Sequence, residues 1–216
     1  MPTPEEMAAP RWFAELIQKE LQPWLTLFED QIRNLWEHYE VLLRWNDRIN
    51  LTSIPPGEEM VIRHYCESVF FGAHMPGASG EPSILDMGSG AGFPGVPIAI
   101  LRPAWRITLL ESHQRKAVFL RESTRGLPNI SVLARRAESV PGRFDWVVSR
   151  GVDPKEVLRN VPRLARSVGL MLGEDDFSAI QSFQDIAWSK LVRLPWGDRR
   201  LCVYGEVSRG MVSRGT

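Results

Sequence analysis

The stretch Ile84-Leu-Asp-Met-Gly-Ser-Gly-Ala-Gly-Phe-Pro-Gly95 decides the fold: a short apolar run enters a glycine-rich turn, and an apolar segment with helical spacing follows. Glycine at 88, 90 and 92 admits left-handed backbone or the close approach of a ligand. A turn of this kind also delivers free N–H groups at the start of the next helix. Asp86, Gly88, Gly90 and Gly92 are therefore read as the framework of a pocket for an adenosine-type cofactor. Glu111 ends the next β-rich run about 20 residues further on, where it can accept hydrogen bonds from both hydroxyls of a ribose. A glycine turn that serves packing alone would not need strand, turn, helix and acidic strand end to coincide.

Working outward, short β-rich runs alternate with helical ones. Ile84–Met87, Arg106–Glu111, Ile130–Ala134, Phe144–Ser149 and Val168–Leu172 read as the strands of a parallel, doubly wound, Rossmann-like α/β sheet. Leu191–Pro195 and Leu201–Val207 flank the turn-rich Trp196-Gly-Asp-Arg199, which predicts an antiparallel pair at the sheet edge. Upstream, residues 10–50 read as helical, with Trp24, Phe28, Ile32, Leu35, Tyr39 and Leu42 on one apolar face and Pro23 separating a short first helix. Pro55-Pro56 stops this region, and Glu58–Met75 predicts a further helix before a Gly/Ser-rich loop. The expected organisation is a helical cap over 1–78, a sheet domain over 79–209 and a disordered tail over 210–216.

The 216 residues carry 26 basic and 26 acidic side chains, so a nucleic-acid partner would need a local basic surface rather than a basic domain. The lysines are Lys19, Lys116, Lys155 and Lys190 alone; a GC-rich genome accounts for the arginine excess as well as any RNA-binding role does. Cys66 and Cys202 have neither metal-ligand spacing nor a disulfide framework and read as buried free thiols. No apolar run is long enough to span a bilayer, and the N-terminus lacks the pattern of a secretory signal, which predicts a cytoplasmic protein without membrane or metal.

Two enzyme classes share the glycine turn. Gly90-Ala-Gly92-Phe-Pro-Gly95 spells GxGxxG, the signature of an NAD-dependent oxidoreductase. Against it, Pro94 and Pro97 stand where such turns rarely hold proline, and Pro94 suits a first helical turn. A carboxylate at Asp86 is expected near the cationic methionine part of S-adenosylmethionine and would repel a pyrophosphate. Context therefore favours S-adenosyl-L-methionine.

Several segments together resemble one family, the bacterial small-subunit ribosomal RNA guanine-N7 methyltransferase G, also called glucose-inhibited division protein B. They are Trp45-Asn46 with Asn50-Leu51-Thr52, Arg63-His64 with Ser68, Asp86–Pro97, Leu109-Leu110-Glu111-Ser112 with Lys116 and Phe119-Leu120, and Phe144-Asp145 with Ser149-Arg150. The resemblance implies a class I methyltransferase fold with an N-terminal helical cap. It also implies methyl transfer to N7 of a guanine in the decoding region of 16S ribosomal RNA, presented as RNA or as a small-subunit particle to a monomeric enzyme. Carried over by position, the cofactor contacts fall on Gly88, Phe93, Ala137, Glu138 and Arg150. Departures stand at Glu67, where the family has aspartate, at Gly151, where it has alanine, and at Leu172, where it tends to carry lysine. The acidic Glu174, Asp175 and Asp176 follow, and they motivate an alternative, an RNA-binding or assembly protein without turnover.

N7 of guanine keeps a free lone pair, so attack on an activated methyl needs no general base, and none is assigned. Ser149-Arg-Gly-Val-Asp153 stands where exocyclic-amine methyltransferases place Asn-Pro-Pro-aromatic, and there is no Pro-Cys nucleophile. Asn46, Asn50, Arg63 and His64 are the substrate-side candidates. As polar groups at a domain junction they either receive ligand or tie the junction, and His64 can equally be a buried, hydrogen-bonded histidine. Arg115, Lys116, Arg121 and Arg125 have helical spacing and would contact phosphate, or form an exposed face balanced by Glu122.

Overall fold

The computed structural model describes residues 8–77 and 80–208; the expected tail over 210–216 lies outside them. Seven strands form one sheet in the order β3-β2-β1-β4-β5-β7-β6. They are β1 (Ser83–Met87), β2 (Arg106–Leu110), β3 (Ile130–Leu133), β4 (Phe144–Arg150), β5 (Ala165–Gly173), β6 (Ile186–Arg193) and β7 (Arg200–Val207). The first five pair in parallel, and β7 is antiparallel to both β5 and β6. The parallel strands are nearly continuous apolar runs because both sheet faces are covered.

Alternation along β1 sorts the two layers. Ile84 joins a cluster with Phe13, Tyr65, Phe70, Ile98 and Phe119, whereas Leu85 and Met87 join Val147, Val157, Val161 and Leu170 on the other face. The first face therefore receives the N-terminal helices α1 (Arg11–Leu21), α2 (Glu29–Ile49) and α4 (Glu67–His74), together with α5 (Gly95–Leu101) and α6 (Gln114–Ser123). Helix α4 continues from α3 (Glu58–Met60) through a π-helical stretch, Val61–Cys66. The second face receives α7 (Pro154–Leu164) and α8 (Glu174–Ile180). Phe71 stacks on Tyr204 with ring centres 5.1 Å apart, and the Tyr204 hydroxyl donates to the Phe71 carbonyl at 2.7 Å. Gly169 makes room for this contact, since a Cβ there would lie 2.7 Å from the Phe71 ring.

Three local expectations need correction. Trp24 and Phe28 are not part of the apolar face: both precede α2, and Phe28 is 73% exposed. Ile32, Leu35, Tyr39 and Leu42 do form the buried stripe. Strand β6 starts at Ile186 rather than Leu191, because an edge strand buries only every second residue and therefore shows no apolar run. Pro94 occupies the N-cap of α5, and Pro97 lies in the first turn, where the missing N–H has no carbonyl to serve. No helix of the described residues is long and apolar enough to cross a membrane.

Candidate active site

The glycine turn is fixed from two directions. Gly88 and Ser89 both donate their N–H to the Leu110 carbonyl, at 2.9 and 3.0 Å, which anchors the turn to the end of β2. The Glu111 carboxylate accepts from Gly90 N at 3.0 Å and from His113 N at 2.7 Å, so its orientation is set by backbone while lone pairs stay free toward the cavity. Gly88, Gly90 and Gly92 have φ of 76°, 55° and 90°. At Gly88 a side chain is also excluded sterically, because a Cβ would come within 2.3 Å of Val152 Cγ2.

Asp86 does not occupy the place expected of it. Its carboxylate is fully buried behind the turn, accepts from Gly95 N at 3.0 Å and lies outside the cavity wall. Residues on one strand alternate faces, and Asp86 shares that of Ile84, toward α5. Burial pushes its pKa up to about 7. The charge argument that set S-adenosylmethionine against a dinucleotide therefore does not operate through Asp86, which is a brace. Gly95 follows the same logic: a Cβ would meet Leu109 at 2.5 Å and Asp86 at 2.6 Å, so glycine here permits close packing of α5 on the sheet.

A cavity of about 470 Å³ opens above the carboxyl ends of β1, β2 and β4, a size suited to a small-molecule site. Its wall brings together Gly88, Gly90, Phe93, Glu111, Ala137, Glu138 and Arg150 from the expected cofactor set, and His64 from the substrate set. Lys116 also lines it, as do, unforeseen, Arg135, Arg136, Val152 and Glu156. His64 stacks on Phe93 at 4.6 Å and bonds Thr52 Oγ1 through Nε2 at 2.8 Å. Burial, with Arg150 and Arg63 nearby, lowers its pKa to about 3, so the imidazole stays neutral.

Asn46 and Asn50 line no cavity. Asn46 Oδ1 accepts from Leu51 N and Thr52 N at 2.7 and 2.8 Å, and Asn50, at φ 48°, ends α2 in the left-handed conformation. Both hold the segment that delivers Leu51 to the cavity and Thr52 to His64. Arg115 donates to the Arg48 carbonyl at 3.3 Å, and Arg121 and Arg125 are exposed.

Arg63 belongs to a second cavity of about 540 Å³, which shares Arg150, Gly151 and Val152 with the first. At its base Glu67, only 1% exposed, faces three guanidinium groups: Arg63 at 3.5 Å, Arg150 at 3.6 Å and Arg200 in direct contact. Arg150 also donates to the Arg63 carbonyl at 2.6 Å. Burial raises the Glu67 pKa, and Arg150, Arg200 and Arg63 oppose that rise. Sequence patterns missed this cluster because Arg200 carries no local signal; only the register Gly173↔Arg200 between β5 and β7 brings it there. The acidic stretch is also less anionic than its sequence: Glu174 pairs with Arg193 and Arg199, and Asp175 with Arg199 at 2.5 Å. Among the described residues Asp176, which lines the second cavity, has no ion-pair partner. No group of three or more His, Cys, Asp or Glu among the described residues is placed to hold a metal ion.

The family model described as rRNA small subunit methyltransferase G matches residues 31–174. The chain belongs to this family. Proteins named ribosomal RNA small subunit methyltransferase G are similar to it in Nitrosomonas europaea, 44% identical over 56% of this chain and 57% of that protein, and in Solibacter usitatus, 38% identical over 73% and 71%. The chain thus spans under three fifths of the Nitrosomonas protein's length. Among solved structures, a SAM dependent methyltransferase from Aquifex aeolicus superposes with a TM-score of 0.55 at 16% identity, covering 70% of this chain and 94% of that one. Magnesium protoporphyrin IX methyltransferase from Synechocystis PCC 6803 gives 0.56 at 12%, covering 80% and 97%. At such identities they show the shared class I methyltransferase fold. Strand order separates this chain from dinucleotide enzymes: their order is 3-2-1-4-5-6, whereas here the antiparallel β7 intervenes between β5 and β6.

Proposed function

We propose that this chain transfers the methyl group of S-adenosylmethionine to N7 of a guanine in the decoding region of 16S ribosomal RNA, acting as a cytoplasmic monomer on RNA or on a small-subunit particle. One observation carries the reading: in a chain of this family, a cofactor-sized cavity over the glycine turn shares Arg150, Gly151 and Val152 with a second cavity able to present an acceptor. The residues present fit the cofactor. Glu111 is held with lone pairs free for ribose hydroxyls, Ala137 and Glu138 form the adenine side, and Phe93 with His64 forms an apolar wall. The helical segment over residues 8–77 acts as the cap that supplies His64, Arg63 and Glu67 to this junction.

When bound, S-adenosylmethionine supplies a methyl carbon activated by the sulfonium. This chain's own residues then orient and shield. Gly88 allows backbone to approach the ligand closely, and Arg150, fixed by Glu67 and the Arg63 carbonyl, stands where the two cavities meet. Because N7 attacks through a free lone pair, no residue has to remove a proton, and the neutral His64 serves packing and hydrogen bonding. Pairing of Glu174 and Asp175 with arginines weakens the motive for a relative without turnover. Incubation with labelled S-adenosylmethionine and undermethylated small subunits or 16S RNA tests the reading: label on guanine N7 supports it, and its absence with cofactor bound overturns it.

A further inference from the structure

We propose that the second cavity holds the target guanine by two edges, with the guanidinium wall of Arg63, Arg150 and Arg200 donating to O6, N7 left free to face the methyl, and Asp176 accepting from N1–H and the N2 amine. This rests on the functional reading above. An in-line displacement needs the attacking nitrogen beyond the methyl on the side away from sulfur, so the acceptor occupies a cavity that shares a wall with that of the cofactor. Arg150, Gly151 and Val152 are that shared wall. An unstacked base must enter from solvent, and Gly151 leaves its side open, with no atom within 4 Å of where a Cβ would stand.

Guanine is amphoteric across its ring: N7 and O6 accept on one edge, and N1–H and N2–H donate on the other. The cavity lining carries both kinds of partner. Three guanidinium groups share a single buried carboxylate, Glu67, which leaves donors in excess on the wall from the π-helical stretch, α4, β4 and β7. One of those donors, Arg63 Nε, is buried without a hydrogen bond and stands 3.5 Å from the nearest Glu67 oxygen, an arrangement that a ligand acceptor relieves. With N7 directed toward the cofactor, the neighbouring O6 is the acceptor left to meet this wall. Its donor edge then reaches the wall contributed by α8, where Asp176 is the member of the acidic stretch left without an arginine. Adenine is rejected twice, because its N6 amine would face the arginines and its N1 lone pair the carboxylate. The family's lysine before the glycine is absent at Leu172, and Arg200, from the neighbouring strand, supplies positive charge to the same cavity.

The test is a cycle between protein and base. Methyl transfer by the full chain and by Asp176→Ala is measured on substrate with guanosine or inosine, which lacks the N2 amine, at the methylated position. Direct contact predicts that inosine slows the unaltered enzyme about 10- to 100-fold, that Asp176→Ala slows guanosine methylation at least as much, and that inosine then adds no further loss. Equal cofactor dissociation constants and melting temperatures for the two proteins show that the variant is folded. Effects that multiply, or an Asp176→Ala protein with unchanged kcat/KM, overturn the inference while the guanine-N7 activity stands. An unaltered enzyme that binds cofactor and methylates no guanine overturns the functional reading itself.

Discussion

The two cavities meet at Arg150 but are built in opposite ways. The cofactor cavity is made by local devices: one strand, one glycine turn and the ends of the neighbouring strands, each a few residues long and recognisable alone. The second cavity is made by long-range juxtaposition, in which a helix before the sheet, the end of β4 and the start of β7 converge on one buried carboxylate. Backbone geometry secures the first, and compensated charge secures the second. One cavity is thus specified by a short motif, whereas the other exists only when the whole fold assembles it.

The sharpest way to break this contrast is Glu67→Ala. Three guanidinium groups would lose their common buried partner, and stability is expected to fall by about 3–5 kcal/mol, read from denaturant unfolding. A loss under about 1 kcal/mol would mean that charge compensation does not hold the second cavity. Gly88→Ala tests the other side: a Cβ 2.3 Å from Val152 at φ 76° should displace the turn and weaken cofactor binding about 100-fold by calorimetry. Unchanged affinity there would remove backbone geometry as the cause.

Asp86→Asn probes the brace behind the turn through pH. Asp86, held up to about 7, keeps a proton in the folded chain that the unfolded chain releases near pH 4, so its contribution is fully present at low pH and is lost as pH rises toward 7. His38 and His64, both held down to about 3 chiefly by burial, act with the opposite sign, since the unfolded chain takes up protons below about 6.5. Two histidines outweigh one aspartate, so these groups together make stability rise between about pH 4 and 6.5. Asn at 86 removes the opposing member, and the acid-side slope should steepen by about 1.4 kcal/mol per pH unit. Unfolding curves at several pH values would show an unchanged slope if Asp86 were already ionised. The smallest effect is expected at Phe28→Ser, where an exposed ring outside both cavities changes the melting free energy by no more than about 0.5 kcal/mol.

Much of the fold was legible from residues. Five parallel strands and the antiparallel end follow from apolar runs, turn residues and spacing, because a doubly covered sheet writes itself as short hydrophobic segments. Gly88 and Glu111 are legible in the glycine turn and the acidic strand end, whereas Phe93, Ala137, Glu138 and Arg150 are implied by the family resemblance; all six line the cavity. The start of β6 and the exposure of Trp24 and Phe28 were not legible: an edge strand has a weak pattern, and helical spacing continues on paper through a connection that the chain leaves unwound. Asn46 and Asn50 illustrate a different limit. Their residue types fit a ligand or a cap equally well, and only the hydrogen bonds to Leu51 and Thr52 distinguish the two.

The sequence by itself determined the turn, the cofactor-type pocket and the family, because these depend on neighbours along the chain and on backbone conformations that few residues adopt. Tertiary structure decided what Asp86 does and what lies beyond Arg150. Strand alternation turned Asp86 away from the pocket, so the placement of β7 between β5 and β6, rather than a carboxylate, separates this sheet from a dinucleotide fold. That same placement brings Arg200 to Glu67. Such contacts depend on distance in space, and a linear pattern carries no record of them.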